Sequence, residues 1–273
     1  QPPFVFFVAL WLNPPQMSAE HPRPQLRAEF RFYEELNDFL PPARRKRDFT
    51  YAFHGRPAVK DAIEALGVPH PEVDLILVNG ESVGFGHPLR DGDRVSVYPV
   101  FESLEIAGVT RLRPRPLREP RFILDVHLGR LARHLRLLGF DTRYANDAAD
   151  AAIAAAAARQ RRIVLTRDRG LLKLGAVTRG YWVRATAPRT QLAEVIRRFQ
   201  LQERIRPFTR CLECNGALRP ADKAAVAHRL PPRTRRYYDT FAECPRCRRI
   251  YWPGSHYRRL AEFVKGIQNH VES

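Results

Sequence analysis

Between residues 121 and 199 short apolar runs alternate with helical segments, and this alternation limits the fold more than any other feature. "RFILD", "DTRYA", "RRIVLT" and "GYWVRAT" read as strands, and each is followed by a helical segment. In "HLGRLARHLRLLG", Leu128, Leu131, Leu135 and Leu138 share one face and Gly139 stands at the end. In "PRTQLAEVIRRFQL", Leu192, Val195, Ile196 and Phe199 do the same. "DAADAAIAAAAARQ" is alanine-rich and strongly helix-forming, and "RDRGLLKLGAV" holds a shorter helix. Strands that alternate with helices predict an α/β domain whose parallel sheet is covered on both faces.

That topology gives the acids a place. Functional groups of a parallel α/β sheet gather at the carboxyl ends of its strands. Asp125 ends "FILD", Asp168 lies just past "IVLT", and Asp147 and Asp150 follow "TRYA". The order predicts four acids on one rim. Clustered carboxylates repel unless a cation joins them, so the cluster points to Mg²⁺ or Mn²⁺, with Asp125 and Asp168 as ligands and Asp147 or Asp150 assisting. A metal held there polarises a phosphate and activates a bound water. Arg130, Arg133, Arg136, Arg162, Arg167 and Arg169 lie close by in sequence and are candidate contacts to a phosphate backbone. Structural duties compete: Asp147 or Asp150 could cap the alanine-rich helix, and Asp168 could cap the short one or pair with Arg167 or Arg169. Asp125 is the hardest of the four to explain as a cap.

The four cysteines form two tight pairs, Cys211-x2-Cys214 and Cys244-x2-Cys247, separated by 29 residues. Two such knuckles complete a tetrahedral Cys₄ site for structural Zn²⁺, with no open position for catalysis. Two disulfides are the rival arrangement, which a reducing compartment disfavours. A hairpin is expected to fill the long gap. Beside the second knuckle, "RRIYWPGSHYRRL" interleaves aromatics with arginines, the pattern that stacks unpaired bases and neutralises phosphates. Trp252 and His256 are candidate RNA contacts, with packing against the metal knuckles as the competing role for Trp252.

The first hundred residues are of another kind. "LRAEFRFY" and "DFTYAFHG" alternate as half-buried strands, "PAVKDAIEALG" is a helix, and "DLILVNGESV" and "LRDGDRVSVYPV" are strands with turns, the first carrying the Asn79-Gly80 hairpin signal. The order strand, strand, helix, strand, strand resembles the ubiquitin-like β-grasp of small sulfur carriers over residues 25–105. Those carriers end in a free Gly-Gly; here the chain continues through "FESLEIAGVT". The domain is therefore expected to be a scaffolding or protein-docking module.

Charge divides at the same place. Met17–Glu105 carries 11 basic and 15 acidic residues, a net of −4. Ile106–Ser273 carries 35 and 14, a net of +21, as expected of a half that meets a polyanion. "IAGVTRLRPRPLREP" has the composition of a linker. The apolar run Phe4–Leu12 is too short to cross a membrane, which takes about 20 residues. The sole methionine, Met17, is the expected start, with residues 1–24 an unstructured lead, and a cytoplasmic protein with no membrane association is expected.

"FILDVHLGRLARHLRLLGFDT", "RRIVLTRDRGLL", "RCLECNGAL" and "CPRCRRIYWPGSHYRRL" together resemble the Mut-7 C-terminal RNase domain family over residues 121 to about 262. The resemblance implies a PIN-like nuclease fold with a zinc ribbon, metal-dependent RNA cleavage, and carboxylates at the positions of Asp125 and Asp168. Bacterial members fused to an N-terminal β-grasp share the present arrangement. The expected organisation is thus a β-grasp at 25–105, a linker at 106–120, a PIN-like RNase domain at 121–204, a zinc ribbon at 205–262 and a tail at 263–273. A fuller PIN site has a further acid near the later strands, where this chain offers only Glu194. A non-catalytic RNA-binding adaptor, associated with tRNA or the ribosome, is the alternative.

Overall fold

The computed structural model describes residues 24–99, 111–112 and 120–272, with side chains to residue 267. The N-terminal lead and nearly all of the linker expected at 106–120 lie outside the described residues.

The first unit forms because its strands alternate. In β1 (Leu26–Phe32) the even positions Ala28, Phe30 and Phe32 are buried and the odd ones face outward. It pairs antiparallel with β2 (Phe49–Phe53). Helix α1 (Val59–Ala65) crosses the buried face through Val59, Ala62 and Ile63, and the chain returns as β3 (Val73–Val78), β4 (Glu81–Ser82) and β5 (Arg94–Pro99). The sheet order is β2-β1-β5-β3-β4, with β5 parallel to β1 and antiparallel to β3. A central parallel pair flanked by hairpins and crossed by one helix is the β-grasp. Asn79 and Gly80 both take positive φ in the β3–β4 turn, as their hairpin signal requires.

The second unit carries β6 (Phe122–Leu124), α2 (Gly129–Leu137), β7 (Thr142–Arg143), α3 (Asp150–Gln160), β8 (Ile163–Thr166), α4 (Arg169–Lys173), β9 (Gly180–Trp182) and α5 (Pro188–Arg198). All pairings of its sheet, β7-β6-β8-β9, are parallel. Leucines 128, 131, 135 and 138 and Leu192, Val195 and Ile196 fill one face of it, and Ile153, Ala154, Ala157 and Leu171 fill the other. Such two-sided burial is why every position of β6 and β8 is buried and all but Thr166 are apolar. Gly139 ends α2 with φ +95°, where a Cβ would lie 2.2 Å from the Arg206 carbonyl. The chain entering the last unit passes too close for any side chain there.

The last unit is a three-stranded antiparallel sheet, β10 (Arg219–Ala221), β11 (Phe241–Glu243) and β12 (Ile250–Tyr251). The gap between the knuckles holds the antiparallel pair β10 and β11, joined not by a tight turn but through two short helices, α6 (Lys223–Val226) and α7 (Pro232–Tyr237). Helix α8 (Ser255–Glu272) follows. It runs unbroken past residue 262, so the segment expected to be a tail from 263 is helical, and Val264 and Ile267 are buried in the core with α2 and α5. Its apolar residues find their partners in α2 and α5, far earlier in the chain, which local pattern does not reveal.

The first two units are docked. The Arg184 guanidinium reaches Asp38 at 2.7 Å and the Glu35 carbonyl at 3.2 Å, Arg198 pairs with Glu35 at 3.2 Å, and Lys173 donates to the Glu64 carbonyl at 2.9 Å. Phe39 lies 5.2 Å from Trp182, and the Arg169 guanidinium sits over both rings.

Candidate functional site

Asp125 leaves the end of β6 into a short 3-10 turn. Its Oδ1 accepts the His127 N–H at 2.8 Å; its Oδ2 accepts the Arg167 N–H at 3.0 Å and the Thr166 hydroxyl. The residue is 3% exposed. Thr166, the last residue of β8, also accepts the Asp168 N–H at 2.8 Å through the same hydroxyl. Asp168 is exposed, and its Oδ1 caps α4 through the Gly170 N–H at 2.7 Å. Asp125 and Asp168 are thus neighbours on the carboxyl rim, joined through one hydroxyl.

Asp168 caps the short helix, one of the structural duties weighed for it, but the other caps fall differently. Asp125 and Asp168 both cap, whereas the N-cap of α3 is Ala149. Asp150 is then the first residue inside that helix and makes no capping bond, and Asp147 and Asp150 are exposed. Among the described residues, the only group of three or more metal-ligating side chains within mutual reach is the four cysteines. The four acids share a rim without closing on one point.

Three of the candidate phosphate contacts are occupied elsewhere, which corrects their assignment. Arg136 is 5% exposed; it donates to the Thr142 carbonyl at 2.9 Å and to the Leu212 and Glu213 carbonyls at 3.0 and 2.8 Å, tying α2 to the first knuckle. Arg162 pairs with Asp141 at 2.7 Å. Arg167 reaches back to the Arg184 carbonyl at 2.9 Å and to that of Ala185. Arg169 is stacked at the domain junction. Arg130 and Arg133 are exposed, Arg133 pairing with Glu213 at 3.2 Å. Trp252 packs on Val226, Leu230 and Phe241 as the small core of the ribbon, and His256 is exposed.

Glu194 is not an open rim acid. It accepts the Tyr181 hydroxyl and the Arg184 and Ala185 N–H groups, all at 2.8–2.9 Å, and so fixes the turn after β9. Thr166 and Glu72 carry no sequence signal that singles them out. Glu72 is fully buried at the domain junction; Oε1 accepts the Trp182 N–H and Oε2 has no hydrogen-bond partner. Burial pushes its carboxyl up to about 7, against the lowering effect of Arg184.

The cysteines converge. Cys211 Sγ lies 3.5 Å from Cys247 Sγ, and Cys214 Sγ lies 3.3 Å from Cys244 Sγ. Disulfide sulfurs would be about 2.05 Å apart, so these are four thiols. Zn–S bonds of about 2.3 Å place sulfurs roughly 3.8 Å apart around a tetrahedron, and the cluster fits such an ion with little movement. Burial works to raise the Cys211 thiol, but the Cys214 N–H and the Tyr251 hydroxyl, 3.1 Å away, help bring it down to about 6. Burial pushes the Cys214 thiol up to about 12 and raises that of Cys247, so of these three only Cys211 is a ready thiolate, the form a metal ligand takes.

An acid-bearing rim on a parallel sheet, a four-thiol cluster that could hold a metal ion and a docked ubiquitin-like domain make up one nuclease-type architecture. The chain belongs to the Mut7-C RNAse domain family, whose model matches residues 120–264, more than half its length. The model for the Mut7-C ubiquitin domain matches residues 25–105. Two crystal structures of small archaeal modifier protein 1 from Haloferax volcanii are similar to part of the chain, at 21% and 19% identity. They cover 28% and 29% of it and 99% of their own length, each with a TM-score of 0.23. No curated protein matches the chain.

Proposed function

We propose that this protein is a metal-dependent ribonuclease of PIN-like type, hydrolysing RNA phosphodiesters at the rim of Asp125 and Asp168. The observation that carries the reading is that one hydroxyl, that of Thr166, bonds both the buried Asp125 carboxylate and the backbone N–H of Asp168, whose own carboxylate is exposed. A carboxylate has about four acceptor sites, and the three donors on Asp125 leave one for a cation. Mg²⁺ commonly binds through one or two carboxylates, its remaining positions taken by water and substrate phosphate, so a closed cage of acids is not required. Asp125 and Asp168 would hold the ion, with Asp147 and Asp150 as outer acids, and the ion would polarise the phosphate and activate water. Asp125, immobilised by its donors, supplies a fixed anchor. Asp168, tethered by one oxygen only, supplies a ligand that can adjust to substrate.

The four thiols are read as a structural Zn²⁺ site, and thiols rather than disulfides fit a cytoplasmic setting. Among the described residues no helix is long and apolar enough to cross a membrane. The β-grasp is read as a protein-docking module as well as a scaffold for the rim.

The second reading, an RNA-binding adaptor without turnover, is favoured by the failure of the four acids to close on one point. Labelled single-stranded RNA titrated with Mg²⁺ or Mn²⁺ separates the two. The ribonuclease gives fragments that require the metal; the adaptor gives only a mobility shift that salt reverses.

A further inference from the structure

Helices α5 and α8 enclose a cleft of about 640 Å³. Arg189 and Thr190 line it from the first turn of α5, and Arg259, Glu262, Phe263 and Gly266 line it from α8. The Arg189 guanidinium lies 5.2 Å from the Phe263 ring, and the His134 ring packs on Phe263 at 4.7 Å. Burial holds the His134 imidazole below its usual range, and Arg189, Arg133 and Arg130 push the same way. Arg189 therefore stands beside the stacked His134–Phe263 pair, with Arg259 across the cleft.

Arg189 and Arg259 make no ion pair with a carboxylate among the described residues, and Glu262 is the one acid in the lining. Unpaired like charges that share a cleft cost stability, which a polyanionic ligand relieves. Gly266 adds a separate indication. Glycine in a helix interior costs about 1 kcal/mol relative to alanine, and a Cβ there would meet nothing within 4 Å. No packing among the described residues requires that glycine, and it leaves the wall of the cleft open.

We propose that the α5–α8 cleft is the entry track for single-stranded RNA, with Arg189 and Arg259 on the backbone and an unpaired base lodged beside Phe263 and Gly266. The cleft has the size of a small-ligand pocket, suited to nucleotides taken singly. Guanidinium planes and aromatic rings are the groups that hold unstacked bases. Helices α2 and α5 both begin at the carboxyl rim of the sheet, so a strand in the cleft runs toward Asp125. The inference rests on the ribonuclease reading for its direction, but the binding itself does not depend on cleavage.

The test uses the full-length, zinc-loaded protein without Mg²⁺ or Mn²⁺ and measures anisotropy of a fluorescent ten-nucleotide oligouridine. Gly266→Leu fills the cleft without changing charge, and Arg189→Glu reverses one contact; each should weaken binding about tenfold. Arg197→Glu, exposed on α5 outside the cleft, should change it far less. Equal effects of Arg189→Glu and Arg197→Glu, with Gly266→Leu silent, would overturn the proposal, as would tighter binding of an RNA duplex. Photocrosslinking of a 4-thiouridine oligomer to the unaltered protein avoids any folding defect. Crosslinks should map to residues 188–193 and 259–267; crosslinks confined to 219–251 would contradict the proposal. If the strand binds in the cleft but added metal yields no fragments, the nuclease reading fails and the track stands.

Discussion

The hydroxyl of Thr166 is hydrogen-bonded to the carboxylate of Asp125 from the neighbouring strand, so the end of β8 holds the end of β6 in register at the rim. The same hydroxyl accepts the Asp168 N–H. One side chain therefore sets the relative position of both acids. Thr166→Val keeps the shape and removes both bonds. Leaving buried polar groups unmade costs about 1–3 kcal/mol, and urea denaturation should show a loss in that range. RNA cleavage should fall much further than stability does. A variant that loses stability but cleaves normally would detach Thr166 from the site.

Glu72 makes the junction between the β-grasp and α/β units sensitive to pH. Its docked pKa, about 7, lies above the ordinary carboxylate value of 4.5. The docked state thus binds the proton more tightly than the open one, and stability contributed by this group is present below pH 4.5 and lost as pH rises toward 7. Glu72→Gln removes the charge and keeps the size. It should strengthen docking at pH 8 by roughly 2–4 kcal/mol and flatten the dependence between pH 5 and 7. Hydrogen exchange of the Trp182 amide, compared across pH in both proteins, reads this directly. An identical pH dependence in the variant would place the titrating group elsewhere.

Arg136 joins the α/β unit to the cysteine knuckle through carbonyls of Leu212 and Glu213. Removing a buried hydrogen-bonded charge leaves its acceptors unsatisfied, and Arg136→Met should destabilise by about 2–4 kcal/mol. The loss should show as weaker Zn²⁺ retention against a chelator, with RNA affinity lowered only as far as folding is. Selective loss of RNA affinity with the zinc site intact would restore Arg136 as a substrate contact.

Elemental analysis should find one zinc per chain, and Cys244→Ser should abolish it. Chelation of the wild type should unfold the segment from Cys211 to Tyr251, since structural zinc supplies folding energy to such small units. Its hydrophobic core is only Val226, Leu230 and Phe241 with a few half-buried neighbours. A chelated protein whose ribbon stays protected from proteolysis would contradict a structural metal.

Much of this architecture was legible in the sequence because it is written in local periodicity. The two-residue alternation of Ala28, Phe30 and Phe32 and the helical spacing of Leu128, Leu131 and Leu135 each specify an element and its buried side. Cysteine spacing specified the knuckles in the same way. What local pattern does not carry is the destination of a long side chain. Arg136, Arg162 and Arg167 are near the acids in sequence, yet each guanidinium turns to a carbonyl or carboxylate supplied by a distant segment. Glu72 and Trp182 meet across 110 positions, and no periodicity announces that contact. Asp125 and Asp168 stand just past the ends of neighbouring strands, but their donors, and hence their division into a held and an exposed carboxylate, became visible only with Thr166 in place.

Asp168→Asn tests the central claim most directly. Asparagine caps a helix about as well as aspartate, so the Gly170 bond and the stability of α4 should survive while the ligand charge is lost. Labelled RNA incubated with Mg²⁺ or Mn²⁺ should be cut by the wild type and remain intact with the variant, at equal RNA affinity and equal melting temperature. Cleavage by Asp168→Asn at the wild-type rate would contradict a metal site built on Asp125 and Asp168.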